Sequence, residues 1–298
     1  MPNRNSGGVA ILGHTAPGSE PRFQTDSVVI PVNLCNLPPL NAIANKVLAL
    51  SGDPKISLKE IGSAMQADPA FSADVLFLAN SSLFGFPSRI HELRHALALL
   101  GLERVKALAV TVAMRGFLGR GGPLVNQCWR HSAACAVVCE HLAPMFHHSP
   151  NRGFTAGIIH DVGRLALLKT YSTEYGGVLS RQYADVSDAL RAERAALNVD
   201  HAVAGAWLVK TWSYPGTFIE ICQLHHALPE RTDSSLVALT KVACRVADAL
   251  GYPAVRYRGT LPYRELLPLI VPRSDLSEYP AEDELKTEVE GRLRVLDD

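Results

Sequence analysis

Residues 93–118 read LRHALALLGLERVKALAVTVAMRGFL, and this stretch decides the fold. Leu93, Leu97 and Leu100 recur at four- and three-residue steps, which sets them on one helical stripe. Gly101 is a natural stop, because glycine readily takes the left-handed conformation that closes many helices. The apolar pattern resumes at Leu102 and runs to Leu118, where Gly121-Gly122-Pro123 breaks it. Helix follows helix here, with no alternating run of strand type between them. The expectation is an all-α fold.

Working outward, the same signals repeat. Upstream, Leu40, Ile43, Ala44, Val47 and Leu48 mark a helix that Gly52 ends, and Ser57 with Glu60 fits a capping box. Asp68-Pro69 offers an N-cap acceptor and then a proline where no amide donor is needed. Phe71, Val75 and Leu78 share the face that follows. Downstream, helical segments cover 129–146, 154–171, 201–212, 216–226 and 235–251, with a polar stretch at 184–197. Residues 1–27 read as a loose tail, 28–120 as an N-terminal helical subdomain, and 121–255 as a second helical subdomain packed on it. The extension 256–298 is acidic, and its last residues, DELKTEVEGRLRVLDD, are expected to form one exposed helix.

The chain has 298 residues, 47% hydrophobic and 19% charged, with 29 basic and 29 acidic side chains that cancel. That supports a sizeable core and argues against a mostly disordered chain. Zero net charge argues against nucleic-acid binding by bulk attraction. No apolar run is long enough for a transmembrane helix, and the first residues lack the apolar core of a signal peptide. Six cysteines without a CxxC pair suit a reduced, cytoplasmic protein.

Seven polar residues interrupt apolar helical stretches: His131, His160, Asp161, His201, His225, His226 and Asp248. Burying imidazole or carboxylate without a partner is costly. A shared metal would satisfy several at once, and this donor set suits Fe, Mn, Ni or Zn. A pair of ions could activate water for phosphate ester hydrolysis. Neighbours on a helix diverge by about 100°, so His160 and Asp161 can share an ion only near a kink or end, which Gly163 would allow. The plainer reading is of core or surface histidines, of Asp161 bonded to a nearby backbone amide and of Asp248 as the half-exposed end of a helix. Cys135 and Cys139 stand one turn apart near His131, as zinc donors or, more plainly, as small buried hydrophobes.

DPAFSADVLFLANSSLFGFP (68–87), ALALLGLERVKAL (96–108), WRHS (129–132) and AGIIHDVGRL (156–165), in that order, resemble the HDOD family over about residues 28–255. That family is all-helical, related to the HD phosphohydrolases, mostly bacterial and regulatory, and many members show no enzymatic activity. The resemblance implies metal-ligand positions at His131, His160, Asp161 and Asp248. The related HD-GYP branch adds positions similar to His201 and to His225-His226. Departures are Arg164 where a lysine is usual, Ala227 where an acid is usual, and no GYP loop in ALPERTDSS. The expected function is a cytoplasmic bacterial signalling module acting through a regulatory or signalling protein. Its remnant HD-like site would take a divalent ion (Fe, Mn, Ni or Zn), a pair of them, or a phosphate-containing ligand. The alternative is a metal-dependent phosphohydrolase in which Asp161 and Arg164 are catalytic, Arg164 neutralising charge on the phosphate. The third is transcriptional regulation through Arg89, Arg94, Arg104, Lys106, Arg115, Arg120 and Arg130.

Overall fold

The computed structural model describes residues 30–38, 41–50, 58–84, 89–119, 121–230, 232–270 and 279–294. The tail 1–27, Leu40, Gly52 and the Ser57 end of the capping box lie outside them. The first half carries α1 (Val32–Cys35), α2 (Ala42–Leu50), α3 (Leu58–Gln66), α4 (Pro69–Ala79) and α5 (Leu93–Leu118). The second carries α6 (Pro123–Leu142), a 3-10 turn (Ala143–Phe146), α7 (Pro150–Ile159), α8 (Val162–Thr170) and α9 (Ser172–Leu179). It continues through α10 (Val186–Leu197), α11 (His201–Thr211), α12 (Gly216–Leu224) and α13 (Leu236–Ala249), then α14 (Tyr263–Ile270) and α15 (Glu282–Leu293). The fold is all-α, as expected.

Local chemistry sets where these helices begin. The Asp68 carboxylate accepts from the Phe71 amide at 3.0 Å, with Pro69 in the first helical position. Asp185, Asp200 and Ser235 cap α10, α11 and α13 in the same way, each accepting from an amide three residues on. Each such cap contributes about 1 kcal/mol. Gly101 has φ 69° and ψ 171°, so α5 is two helical arms that meet at a break. The stop is where it was expected, and the second arm starts at once.

Helices α2, α3 and α4 pack on α5, and α5 packs in turn on α7 and α8. In the second half α6 lies along α7 and α13, while α8 lies on α11 and α11 on α12. Two glycines mark close approaches beside the singled-out histidines. A Cβ on Gly157 would stand 2.5 Å from the Ala136 Cα of α6. One on Gly163 would stand 1.9 Å from the His201 carbonyl oxygen and 2.7 Å from the Gly205 nitrogen of α11.

Two features depart from expectation. Gln182–Tyr183 pairs in parallel with Arg256–Tyr257, a two-residue bridge that returns the chain after α13 to the α9–α10 connection. The C-terminal helix α15 is not an exposed one: Leu285, Val289 and Leu293 are fully buried, and α15 packs on α6. Their four-residue spacing gathers them on one face, while the acids that dominate the composition occupy the others. Arg292 fastens the helix further, pairing with Glu140 Oε2 at 2.6 Å and donating to the Leu83 carbonyl at 2.6 Å. Arg104 takes the other oxygen of Glu140 at 3.0 Å. Among the described residues no helix is long and apolar enough to cross a membrane.

Because backbone atoms face Gly163, a methyl group there can be relieved only by parting α8 from α11. Gly163→Ala should destabilise by about 3 kcal/mol, as overpacking does, in denaturant unfolding. Gly177→Ala on α9, whose Cβ would meet nothing within 4 Å, should cost nothing. Equal stability of the two variants would remove the close approach from this account.

Candidate metal centre

Those helix contacts bring the singled-out residues together. His131 lies in the middle of α6, and the α6–α7 contact at Gly157 lays it beside His160, which caps the C-terminal end of α7. Asp161 has φ −110° and ψ 23°, so the chain bends between α7 and α8 at the His-Asp pair. The bend is the end that shared use of the pair requires. His201 opens α11 and faces Asp161 across the Gly163 approach, while His225 and His226 follow α12. His131, His160, Asp161, Arg164, His201 and His225 are all buried, whereas His226 and Asp248 are partly so.

Hydrogen bonds at Nδ1 assign the ring tautomers. His131 Nδ1 donates to the Tyr252 carbonyl at 2.7 Å, His160 Nδ1 to Gly157 at 2.7 Å, and His225 Nδ1 to Cys222 at 2.8 Å. His201 Nδ1 donates to Glu193 Oε2 at 2.6 Å. With the single N–H so used, each Nε2 carries a lone pair. These lone pairs converge: His131 and His160 Nε2 are 3.3 Å apart, and His201 and His225 Nε2 are also 3.3 Å apart. His226 Nε2 lies 2.8 Å from His201 Nε2. Asp161 Oδ1 is 3.5 Å from His201 Nε2 and 3.9 Å from His225 Nε2, buried and with no hydrogen-bond donor. Acceptors facing acceptors at such distances repel unless a cation stands among them. The residues therefore fit a metal, and the fit rests on the orphaned carboxylate oxygen and the converging imidazoles.

Arg164 organises the carboxylates. Its Nε donates to Asp161 Oδ2 at 2.9 Å, and its Nη1 to Glu193 Oε1 at 2.8 Å and to the Tyr175 hydroxyl at 3.1 Å. Nη2 lies 3.4 Å from His226 Nε2. Two carboxylates against one guanidinium leave a negative charge, which favours a cation nearby. The role expected for Arg164, meeting a substrate phosphate, would fall to Nη2, since Nε and Nη1 are already engaged. The side chain is buried, and Nη2 is turned to His226.

Asp248 stands on the far side of His131, with Oδ1 3.4 Å from Nδ1 rather than near Nε2. Cys244, one turn earlier on α13, puts its sulfur 3.7 Å from His131 Nε2. Neither Cys244 nor Glu193 was among the expected site residues. Each carried a signal: Glu193 sits midway between Ala189 and Leu197 on the buried stripe of α10, and Cys244 shares a face with Thr240 and Asp248. Cys135 and Cys139 are buried in α6. The expected basic surface is not a free row of cations. Arg104 is tied to Glu140, Lys106 pairs with Glu103 at 2.5 Å, and Arg115 and Arg130 lie over Phe77 and Tyr252. Arg89 and Arg94 are exposed, and Arg120 lies outside the described residues.

Burial keeps His131, His160, His225 and His226 neutral. Burial and the neighbouring His160 push His131 down to about 4, and burial takes His160 to about 3. Burial and adjacent imidazoles lower His225 and His226 well below the ordinary value. Burial alone would raise Glu193, but His201 and Arg164 outweigh it and hold the carboxyl at about 2. Burial lifts Asp248 to about 8. In chelated protein the signs follow. Below pH 8 the folded state carries a proton at Asp248 that the unfolded state lacks, which favours folding as pH falls by up to about 1.4 kcal/mol per pH unit. Below 6.5 the unfolded forms of His131, His160, His225 and His226 bind protons that the folded ones refuse, each contributing about 1.4 kcal/mol per pH unit in the opposite sense. Stability should therefore peak near pH 6.5 and drop steeply towards pH 4 in denaturant titrations. A flat profile over that range would mean the imidazoles are solvated.

The family model for the HDOD domain matches residues 37–228. An uncharacterized protein of Treponema pallidum (strain Nichols) is 23% identical over 244 residues, 79% of this chain and 45% of that protein. This chain thus spans less than half the length of that relative. Among solved structures, a protein described as a candidate phosphohydrolase from Shewanella amazonensis SB2B superposes with a TM-score of 0.66 at 20% identity. It covers 89% of this chain and 95% of its own. An HDOD domain protein of unknown function from Geobacter sulfurreducens also superposes at 0.66, with 24% identity over 88% of this chain and 93% of its own. Both likenesses are of fold. With the family match covering most of its length, this chain belongs to the HDOD domain family.

Proposed function

We propose that this protein is a regulatory HDOD module that acts through contact with a signalling protein. In this reading its HD-like centre holds divalent metal and does not serve as an efficient phosphohydrolase. The observation that carries the reading is the commitment of Arg164. A group meant to meet a transferring phosphate needs donors aimed at an accessible space. Here the guanidinium is buried and engaged by Asp161, Glu193 and Tyr175, so it braces the centre from within.

His201, His225, His226 and Asp161 would hold one ion, and His131 with His160 a second. A metal bound there would supply a polarised water and a Lewis acid for a phosphate ester. The chain's own groups do the rest. Four Nδ1 bonds hold the rings of His131, His160, His201 and His225 in one tautomer and orientation. Arg164 fixes Asp161 through Oδ2 and leaves Oδ1 turned to His201. The surrounding apolar helices keep bulk water and bulky esters away. Phosphoester hydrolysis is the second reading, favoured by His226, which unlike the other four histidines of the cluster is only partly buried. The engagement of Arg104 and Lys106 gives no support to nucleic-acid recognition.

Elemental mass spectrometry of untagged protein, purified without chelator, should find about one to two equivalents of Fe, Mn, Ni or Zn. His160→Ala should lose at least half of it. Turnover of bis(p-nitrophenyl) phosphate should stay at the buffer rate with each metal added. Protein that neither contains nor takes up metal would overturn the metal centre. Turnover that disappears in a folded Asp161→Ala variant would instead establish the hydrolase.

A further inference from the structure

Cys244 gives the two halves of the centre different chemistry. The His201–His225–His226 half is made of imidazole nitrogens with the Asp161 carboxylate beside them. The other half brings together His131 Nε2, His160 Nε2 and the sulfur of Cys244, all within 4.8 Å of one another. A tetrahedral ion with metal–nitrogen bonds of about 2.0–2.1 Å and a metal–sulfur bond of about 2.3 Å sets its nitrogens about 3.3 Å apart and nitrogen from sulfur about 3.5 Å. The observed separations are 3.3 Å for His131 to His160 and 3.7 Å for Cys244 to His131. Both imidazoles point lone pairs inward, because Tyr252 and Gly157 take their N–H groups. Asp248 adjoins His131 on the opposite ring edge, at Nδ1, and so acts on the ring's orientation.

We infer that Cys244 is a metal ligand, and that His131, His160 and Cys244 form a thiolate site for a thiophilic divalent ion of the zinc class. The inference rests on the metal-centre reading and adds to it a ligand and a preference: sulfur selects zinc or cobalt over manganese. In the metal-free protein Cys244 is a neutral buried thiol, its ionisation opposed chiefly by burial. Binding forms a metal–sulfur bond and breaks the S–H bond, and the proton leaves to solvent. No electron is transferred.

Cobalt(II) tests this directly, since sulfur-to-cobalt charge transfer gives a near-ultraviolet band that nitrogen and oxygen ligands do not produce. Chelator-stripped full-length protein, reduced and anaerobic, is titrated with cobalt(II). The wild type should develop the band, and Cys244→Ser should lose it while still taking up cobalt with a visible ligand-field spectrum. Cys139→Ser should keep the band. Cobalt uptake by wild type without the band overturns the thiolate site and leaves the metal centre standing, whatever the folding of the variants. A band that persists in Cys244→Ser does the same to Cys244. Failure of the wild type to take up cobalt or zinc at all overturns the metal-centre reading, and this inference with it.

Discussion

The buried guanidinium of Arg164 is the constraint around which the second half of the molecule is arranged. A guanidinium out of water must have its donors met by carboxylates, or its desolvation goes uncompensated. Asp161 meets one edge from the same turn of α8, and Glu193 meets another from α10. Glu193 then uses its second oxygen on the His201 backbone and ring. One cation thus ties α8, α10 and α11 into a single polar knot inside an apolar bundle. Removing either carboxylate would leave a charge with no solvent to receive it.

The knot has a chemical consequence. It fixes Asp161 and His201 so that their remaining acceptors face each other, and helix packing adds three more imidazoles presenting the same kind of atom. Apolar helices surround the cluster, and Asp161 Oδ1 is left with no donor from the protein. In the proposed reading a centre of this sort holds a cation without turning over a phosphate ester, and that reading rests on where one arginine points.

The C-terminal helix shows how a composition argument misleads. Nine acids against four bases over 272–298 suggest a solvated segment, yet Leu285, Val289 and Leu293 pack it against α6 and Arg292 ties it to Glu140. Glu193 was obscured in the same way, as one acid in a polar stretch. Burial of a carboxylate depends on a partner, and its partner Arg164 lies 29 positions away. Cys244 gives no signal in cysteine spacing, because its neighbour in space, His131, comes from another helix 113 positions away.

The amino-acid sequence by itself determined the helices, their caps at Asp68 and their break at Gly101, because these follow from apolar period and from chemistry within a few residues. It also carried the family, and it pointed to the five histidines and Asp161 that the fold gathers, since each stands out against an apolar helix. Only the tertiary structure decided which atoms of those residues meet. The tautomers depend on carbonyls of Tyr252, Gly157 and Cys222, which no side-chain pattern encodes. The fate of Arg164 depends on whether carboxylates or solvent reach it first, and that is settled by the packing that brings Tyr175 of α9 and Glu193 of α10 to its guanidinium.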